Sequence, residues 1–288
     1  MTDRQWEIFL QFKNEFYSKV AFWQSEYPLL GELQKQAALD AKTPLYPFET
    51  SVVYNTDLDR ITKDDKIKLI VIGDNPGKDE QLAKNRRYLV GQAGKIADGF
   101  FRRNPELGVD FRKNVIILNK TPVHSAKTIQ LKKIMQLGGE QIKNLILESQ
   151  LWMAEKTAAF YRDFVAAGMN CDGKVESGSN NPVLEACSTS EISSTFPELW
   201  LVGYSELKDK GFFVPYREKL KAELCTSMVW DSLYVFQHFS MNRFTIDLKE
   251  QIEEAPQCGE SMYSKNSPLL LKLHFVGKKH KEEIFGLG

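Results

Sequence analysis

Apolar positions along the chain follow two rhythms. Near the N-terminus, Trp6, Phe9, Leu10, Phe12, Phe16, Val20 and Phe22 recur close to helical spacing, which predicts a helix from about Arg4 to Leu39. Further along stand four short, unbroken apolar runs, Ile67–Ile72, Asn114–Leu118, Leu199–Gly203 and Leu233–Phe236. Each is rich in β-branched or aromatic residues and runs into a polar or glycine-containing loop, the mark of a buried strand. Helical patterns separate them at Gly94–Phe101, Gln141–Ala167 and Pro215–Leu224. Strands alternating with helices predict an α/β fold, with parallel pairing and helices on both faces of the sheet.

The remaining segments are irregular. Asp40 to Asp65 reads as loop, with Pro44 and Pro47 inside it. Residues 168–197 are rich in Ser, Asn, Gly and Glu without periodicity, which predicts a long loop or insertion. The tail beyond about Lys249, with Lys278-Lys279-His280-Lys281, reads as a loosely packed extension. The expected organisation is an N-terminal helical segment, 1–60, packed on a core domain, 61–250, followed by a C-terminal extension, 251–288.

Composition narrows the function classes. The 288 residues are 42% hydrophobic, enough for a normal core, and the formal net charge is zero. A neutral chain gains no global attraction to nucleic acid, so any such binding must come from local asymmetry. Residues 78–133 hold 13 Lys and Arg against 5 Asp and Glu, whereas residues 134–210 hold 6 against 11. The widely spaced Cys171, Cys187, Cys225 and Cys258 form neither a disulfide framework nor a zinc-ligand pattern. No cofactor or metal is expected. No targeting stretch opens the chain, and no apolar run approaches the ~20 residues of a membrane span. A soluble intracellular protein is the resulting expectation, cytoplasmic or else nuclear or nucleoid-associated, and a monomer is expected.

The first strand empties into Gly73-Asp74-Asn75-Pro76-Gly77, and Tyr88-Leu89-Val90-Gly91-Gln92-Ala93-Gly94 follows. In open α/β sheets ligands sit beyond the carboxyl ends of strands, so Asp74 and Asn75 stand where chemistry is expected. These two elements resemble the first motifs of the uracil-DNA glycosylase superfamily. The mismatch-specific and single-strand-selective branches read Gly-x-Asn-Pro-Gly. The thermophile-type branch reads Gly-Glu-x-Pro-Gly and then Pro-Phe-Val-Gly-x-Ala-Gly. That branch holds an iron–sulfur cluster on four cysteines, two of them close together near its N-terminus. The first 170 residues here contain no cysteine, so the cluster is not expected.

Two later motifs extend the resemblance, which spans about Lys68 to Arg243. The second strand ends in Asn119, at the place where the superfamily's Asn reads the pyrimidine. An Asn amide can donate to O4 and accept from N3–H at once. The fourth strand leads to Gln237-His238-Phe239-Ser240-Met241-Asn242-Arg243, similar to the family's His-Pro-Ser motif. His124, near the same edge, is a weaker candidate. Three departures leave substrate choice open. Leu89 stands where a Phe stacks on the base, leaving Tyr88 as a candidate for stacking. Gly77 replaces the Tyr that excludes thymine, and Phe239 replaces the Pro.

The resemblance implies a three-layer α/β/α domain with a four-stranded parallel sheet and a glycosylase acting on uracil or a related deaminated base in DNA. It implies Asp74 as the carboxylate near the sugar and base for water, or Asn75 as the water-positioning group, with His238 facing O2. Gly73, Pro76, Gly77, Tyr88, Leu89, Asn119 and Ser240 would surround the base. Lys78, Arg86, Arg87 and Lys95 would hold phosphates, and Met241, Asn242 and Arg243 would fill the gap left in the duplex. The alternative is a nucleic-acid-binding or scaffold protein of the same fold without turnover. A nucleotide-binding α/β protein is disfavoured, since neither phosphate-loop pattern occurs at a strand end.

Overall fold

The four apolar runs form four strands, β1 (Leu69–Gly73), β2 (Val115–Asn119), β3 (Glu198–Val202) and β4 (Leu233–Phe236), in a computed structural model that describes residues 1–169, 196–253 and 268–286. Every strand residue is buried, which explains why the runs show no alternation. All pairings are parallel and the order is β2-β1-β3-β4. The chain steps from β1 to β2 on one side, then crosses back over β1 to reach β3. The direction reverses between β1 and β3, and a crevice opens there at the carboxyl ends. Register sets Gly73 beside Asn119, so Asp74 and Lys120 leave the sheet side by side.

Helices flank this sheet in a three-layer α/β/α arrangement. They are α1 (Asp3–Glu26), α2 (Leu30–Asp40), α3 (Gln92–Arg103), α4 (Gln130–Met169), α5 (Tyr204–Leu207), α6 (Val214–Leu224), α7 (Arg243–Glu253) and α8 (Leu269–Phe285). The helix expected from Arg4 to Leu39 is two helices. Pro28 lacks an N–H and restricts the residue before it, so the first helix stops at Glu26 with Tyr27 at φ −124°. α1 buries Phe9, Phe12, Phe16, Val20 and Trp23, and packs along α4 through Phe12 on Phe160 at 4.8 Å and Trp23 on Trp152 at 5.7 Å. α4 starts earlier than the sequence pattern suggests and breaks at Gly139, whose φ is +62°.

The C-terminal region departs from the expected loose extension. α8 buries Leu270, Leu273, Val276, Ile284 and Phe285 and packs on β4. α7 packs in turn on α8, burying Phe244, Leu248 and Ile252. Buried apolar side chains form one cluster from Phe9 to Phe285, so the three expected segments share a core. The long loop expected at 168–197 falls almost wholly outside the described residues, as do Cys171, Cys187 and Cys258. Among the described residues, no helix is long and apolar enough to cross a membrane.

Candidate active site at the strand ends

Asp74 lies at the switch between β1 and β3 with 9% of its surface exposed. Its Oδ1 is 2.5 Å from the Lys120 Nζ, and Lys120 has no exposed surface at all. The same ammonium donates to the carbonyl oxygens of Val202 at 2.5 Å and Gly73 at 3.3 Å, and faces the Phe213 ring at 5.0 Å. Burial pushes the Lys120 pKa down, and the Asp74 charge opposes that shift. One side chain thus ties together the ends of β1, β2 and β3. Gly203, just past β3, has φ +97°, and a Cβ there would lie 2.2 Å from the Asp74 Oδ1. Only glycine both adopts that backbone and leaves the carboxylate its place.

A cleft of about 520 Å³ opens at Asp74, lined also by Gly203, His238, Ser240, Met241 and Arg243. His238 is half-buried. The Ser240 backbone N–H donates to its Nδ1 at 3.1 Å, with the Ser240 hydroxyl at 2.9 Å. A backbone N–H can only donate, so Nδ1 is the accepting nitrogen and the ring proton of the neutral form sits on Nε2. Burial, helped by the Lys120 charge and opposed by Asp74, pushes the His238 pKa below its usual value, so the ring is neutral at pH 7. Phe239 is fully buried and packs on Phe244 at 4.8 Å. It anchors the turn by burial rather than by ring constraint.

The next two residues after Ser240, Met241 and Asn242, both have left-handed backbones, φ +52° and +57°. Each such non-glycine residue carries strain of order 1–3 kcal/mol. The turn presents Met241 at the lip of the cleft with 77% of its surface exposed. Asp74, His238, Ser240, Met241 and Arg243 therefore share one cavity. Asp247 and Glu250 of α7 and Glu206 complete its charged lining, giving it four carboxyl groups against one arginine.

Other expected site residues are placed differently. The Asn75 amide is consumed: its Nδ2 donates to the Ser125 Oγ at 2.9 Å, and its Oδ1 accepts from the Thr128 hydroxyl at 2.9 Å. It braces two loops and does not line the cleft. Pro76 is buried, with its carbonyl 2.8 Å from the His124 Nδ1, and Gly77 donates to the Glu80 carboxyl at 3.2 Å. Tyr88 is fully buried with its hydroxyl on the Val53 carbonyl at 2.6 Å, so it offers no face for stacking. Leu89 is also buried, its backbone at φ +51° held by Arg112 on its carbonyl. Asn119 lies over Gly73, where a Cβ would meet its Oδ1 at 2.4 Å. Its Nδ2 is buried without a partner among the described residues, and Asn119, 2% exposed, does not line the cleft.

The basic segment is partly neutralised in three dimensions. Arg87 pairs with Asp57 at 2.7 Å, and Arg112 joins the same carboxylate at 3.5 Å. Lys78, Arg86 and Lys95 are exposed and enter no ion pair among the described residues.

His124 is structural. Its Nδ1–H donates to the Pro76 carbonyl, its Nε2 is 3.0 Å from the Tyr46 hydroxyl, and burial pushes its pKa down to about 4. The unfolded imidazole titrates near 6.5, so the folded state resists protonation that the unfolded state accepts. The stabilisation is complete above about pH 6.5 and fades as pH falls toward 4, up to about 3 kcal/mol. Glu80, pushed up to about 7 by burial, acts with the opposite sign. The stability gap between the wild type and His124→Gln isolates the histidine. Measured by urea denaturation, that gap should shrink by about 2–3 kcal/mol from pH 7 to pH 4.5. A gap constant across that range would refute the assignment.

Lys120, Gly203 and Asp247 are site residues that the sequence pattern did not single out. Lys120 had a readable signal, a lysine directly after a buried strand and in register with Asp74. Among the described residues, no cluster of three or more His, Cys, Asp and Glu side chains is placed to hold a metal ion. Comparison with protein-family models, curated proteins and solved structures finds no match.

Proposed function

We propose that the protein is a DNA glycosylase that hydrolyses the N-glycosidic bond of uracil or a related deaminated base. The observation carrying this reading is that a buried carboxylate, Asp74, and a neutral imidazole donor, His238, share one cleft at the β1/β3 switch. Breaking the bond builds positive charge on the sugar and negative charge on the departing base. Asp74 faces the first and activates water, while the His238 Nε2–H stabilises an oxygen of the second. With the Asn75 amide held by Ser125 and Thr128, Asp74 is the better base for water.

Extruding a nucleotide costs a few kcal/mol of stacking and pairing. Met241, exposed on its strained turn, would fill the vacated space, and Arg243 would meet a phosphate beside it. The cleft's four carboxyl groups favour a cationic sugar but repel phosphates, so backbone contacts fall to exposed cations outside it, Lys78, Arg86 and Lys95.

The direct test is base release from oligonucleotides carrying uracil, hypoxanthine or xanthine. Release of none of them, with DNA still bound, would favour a binding module of the same fold. Reversing Lys78, Arg86 and Lys95 to Glu should weaken binding to all sequences alike. It should also flatten the logarithmic salt slope by about 0.9 for each phosphate that is no longer neutralised. An unchanged slope would mean that these side chains do not face DNA.

A further inference from the structure

Asp247 lies on the α7 wall of the cleft, well apart in sequence from the Asp74 loop, and the roles assigned so far leave it unused. It is 9% exposed, yet it lines the same cavity as Asp74 and His238. Two kinds of carboxyl group therefore face one substrate space. Asp74 has a buried ammonium on its oxygen. Among the described residues Asp247 has no such partner: its Oδ1 accepts at 3.4 Å from the Gln251 amide, and the His280 Nε2 stands 3.6 Å away, beyond hydrogen-bonding reach. His280 is itself buried and stacked on Tyr204 at 4.2 Å.

Burial is the largest influence on the Asp247 carboxyl, and the Gln251 hydrogen bond opposes it. Glu250 on its own helix and Glu283 on α8 add negative charge, Lys279 on α8 offsets it in part, and together these push the carboxyl up to about 6. Burial also pushes the neighbouring His280 down, so it brings no positive charge to Asp247. A carboxyl group that holds its proton up to about pH 6, in the same cleft as an ion-paired carboxylate, lets one cleft supply both an acid and a base.

We propose that Asp247 is a proton donor to the departing base, and that it equips the cleft for deaminated purines. This rests on the glycosylase reading above. Chemistry selects the purine. Uracil offers carbonyl oxygens, which a neutral imidazole N–H already serves, and its free ring nitrogen carries a hydrogen. Hypoxanthine and xanthine offer a bare N7 lone pair on the ring that must accept the bonding electrons. A proton moves from the Asp247 carboxyl to N7. The C1′–N9 electron pair passes into the ring, and the base leaves neutral. The oxygen of water bonds to C1′, and its proton goes to Asp74. Solvent then takes the proton from Asp74 and restores one to Asp247, so the net reaction is hydrolysis.

The experiment is single-turnover release of hypoxanthine and of uracil from otherwise identical oligonucleotides between pH 5 and pH 8. Hypoxanthine release by the wild type should fall about tenfold per pH unit above the Asp247 midpoint near 6. Asp247→Asn, which keeps the shape and the neutral charge of the acid, should abolish that falling limb. At pH 5.5 it should slow hypoxanthine release by roughly 10²-fold or more, and by at least tenfold more than it slows uracil release. Asp247→Glu, which restores an acid, should regain the limb. The proposal is overturned by hypoxanthine release that does not vary with pH, by equal losses on both bases, or by a protein that releases uracil but not hypoxanthine. If the wild type releases neither base, the glycosylase reading itself falls.

Discussion

Asp74→Asn should slow base release by about 10²–10⁴-fold, the usual contribution of a positioned general base, equal to roughly 3–5 kcal/mol of barrier. The neutral amide neither takes a proton from water nor balances charge on the sugar. The structure adds a second consequence. Asp74 neutralises Lys120, which has no exposed surface, so removing the carboxylate strands a buried ammonium. Reduced stability is therefore expected together with reduced turnover. Rates should be read on protein shown to be folded at the assay temperature. The double variant Asp74→Asn/Lys120→Met removes both charges and separates the two effects: it should recover stability without recovering turnover. Asn75→Ala is the comparison. Its amide holds Ser125 and Thr128, so it should loosen the loop while costing far less in rate. Full activity in Asp74→Asn with loss in Asn75→Ala would move the catalytic assignment one residue along.

Lys120→Met should destabilise the fold by about 3–5 kcal/mol, because it breaks a buried pair and leaves the Asp74 charge uncompensated. For a chain of this size that corresponds to a melting temperature lower by roughly 6–20 °C. Two carbonyl oxygens, of Gly73 and Val202, lose their donor at the same time. A thermodynamic cycle with Asp74→Asn isolates the pair. Groups this close should give a coupling energy of roughly 1–3 kcal/mol. A stability change within about 0.5 kcal/mol would mean that the Asp74 carboxylate is solvated without Lys120, and that the strand ends are not tied as described.

Much of the fold was legible because burial on both faces leaves strands as plain apolar runs. All four fell within two residues of their places, and the alternation with helices fixed the parallel sheet. The first helix was overextended because the apolar pattern runs through Pro28, whose missing N–H outweighs periodicity. The C-terminal helix was missed because Lys278, Lys279 and Lys281 mask an apolar face completed only by packing on β4. In the site, Asp74 and His238 were findable as polar residues at strand ends. Asn75, Tyr88 and Leu89 occupy motif positions, but their surroundings hold them away from the cleft, and no linear pattern encodes surroundings. Asp247 carried no signal at all. Its character depends on burial and on Glu283 and Lys279, from a helix whose partners lie far away in sequence.

The turn at Met241 and Asn242 has an evolutionary corollary. Glycine at either position would relax a left-handed backbone and, judged by stability alone, would be an easy improvement. A random search for heat-resistant variants should therefore return substitutions here early. A search that also demands growth under DNA damage should discard Met241→Gly while tolerating Asn242→Gly, whose backbone relaxes without trimming the side chain at the lip. The ratio between the two sets of survivors measures how much robustness this chain forgoes to keep the Met241 side chain at the lip of the cleft.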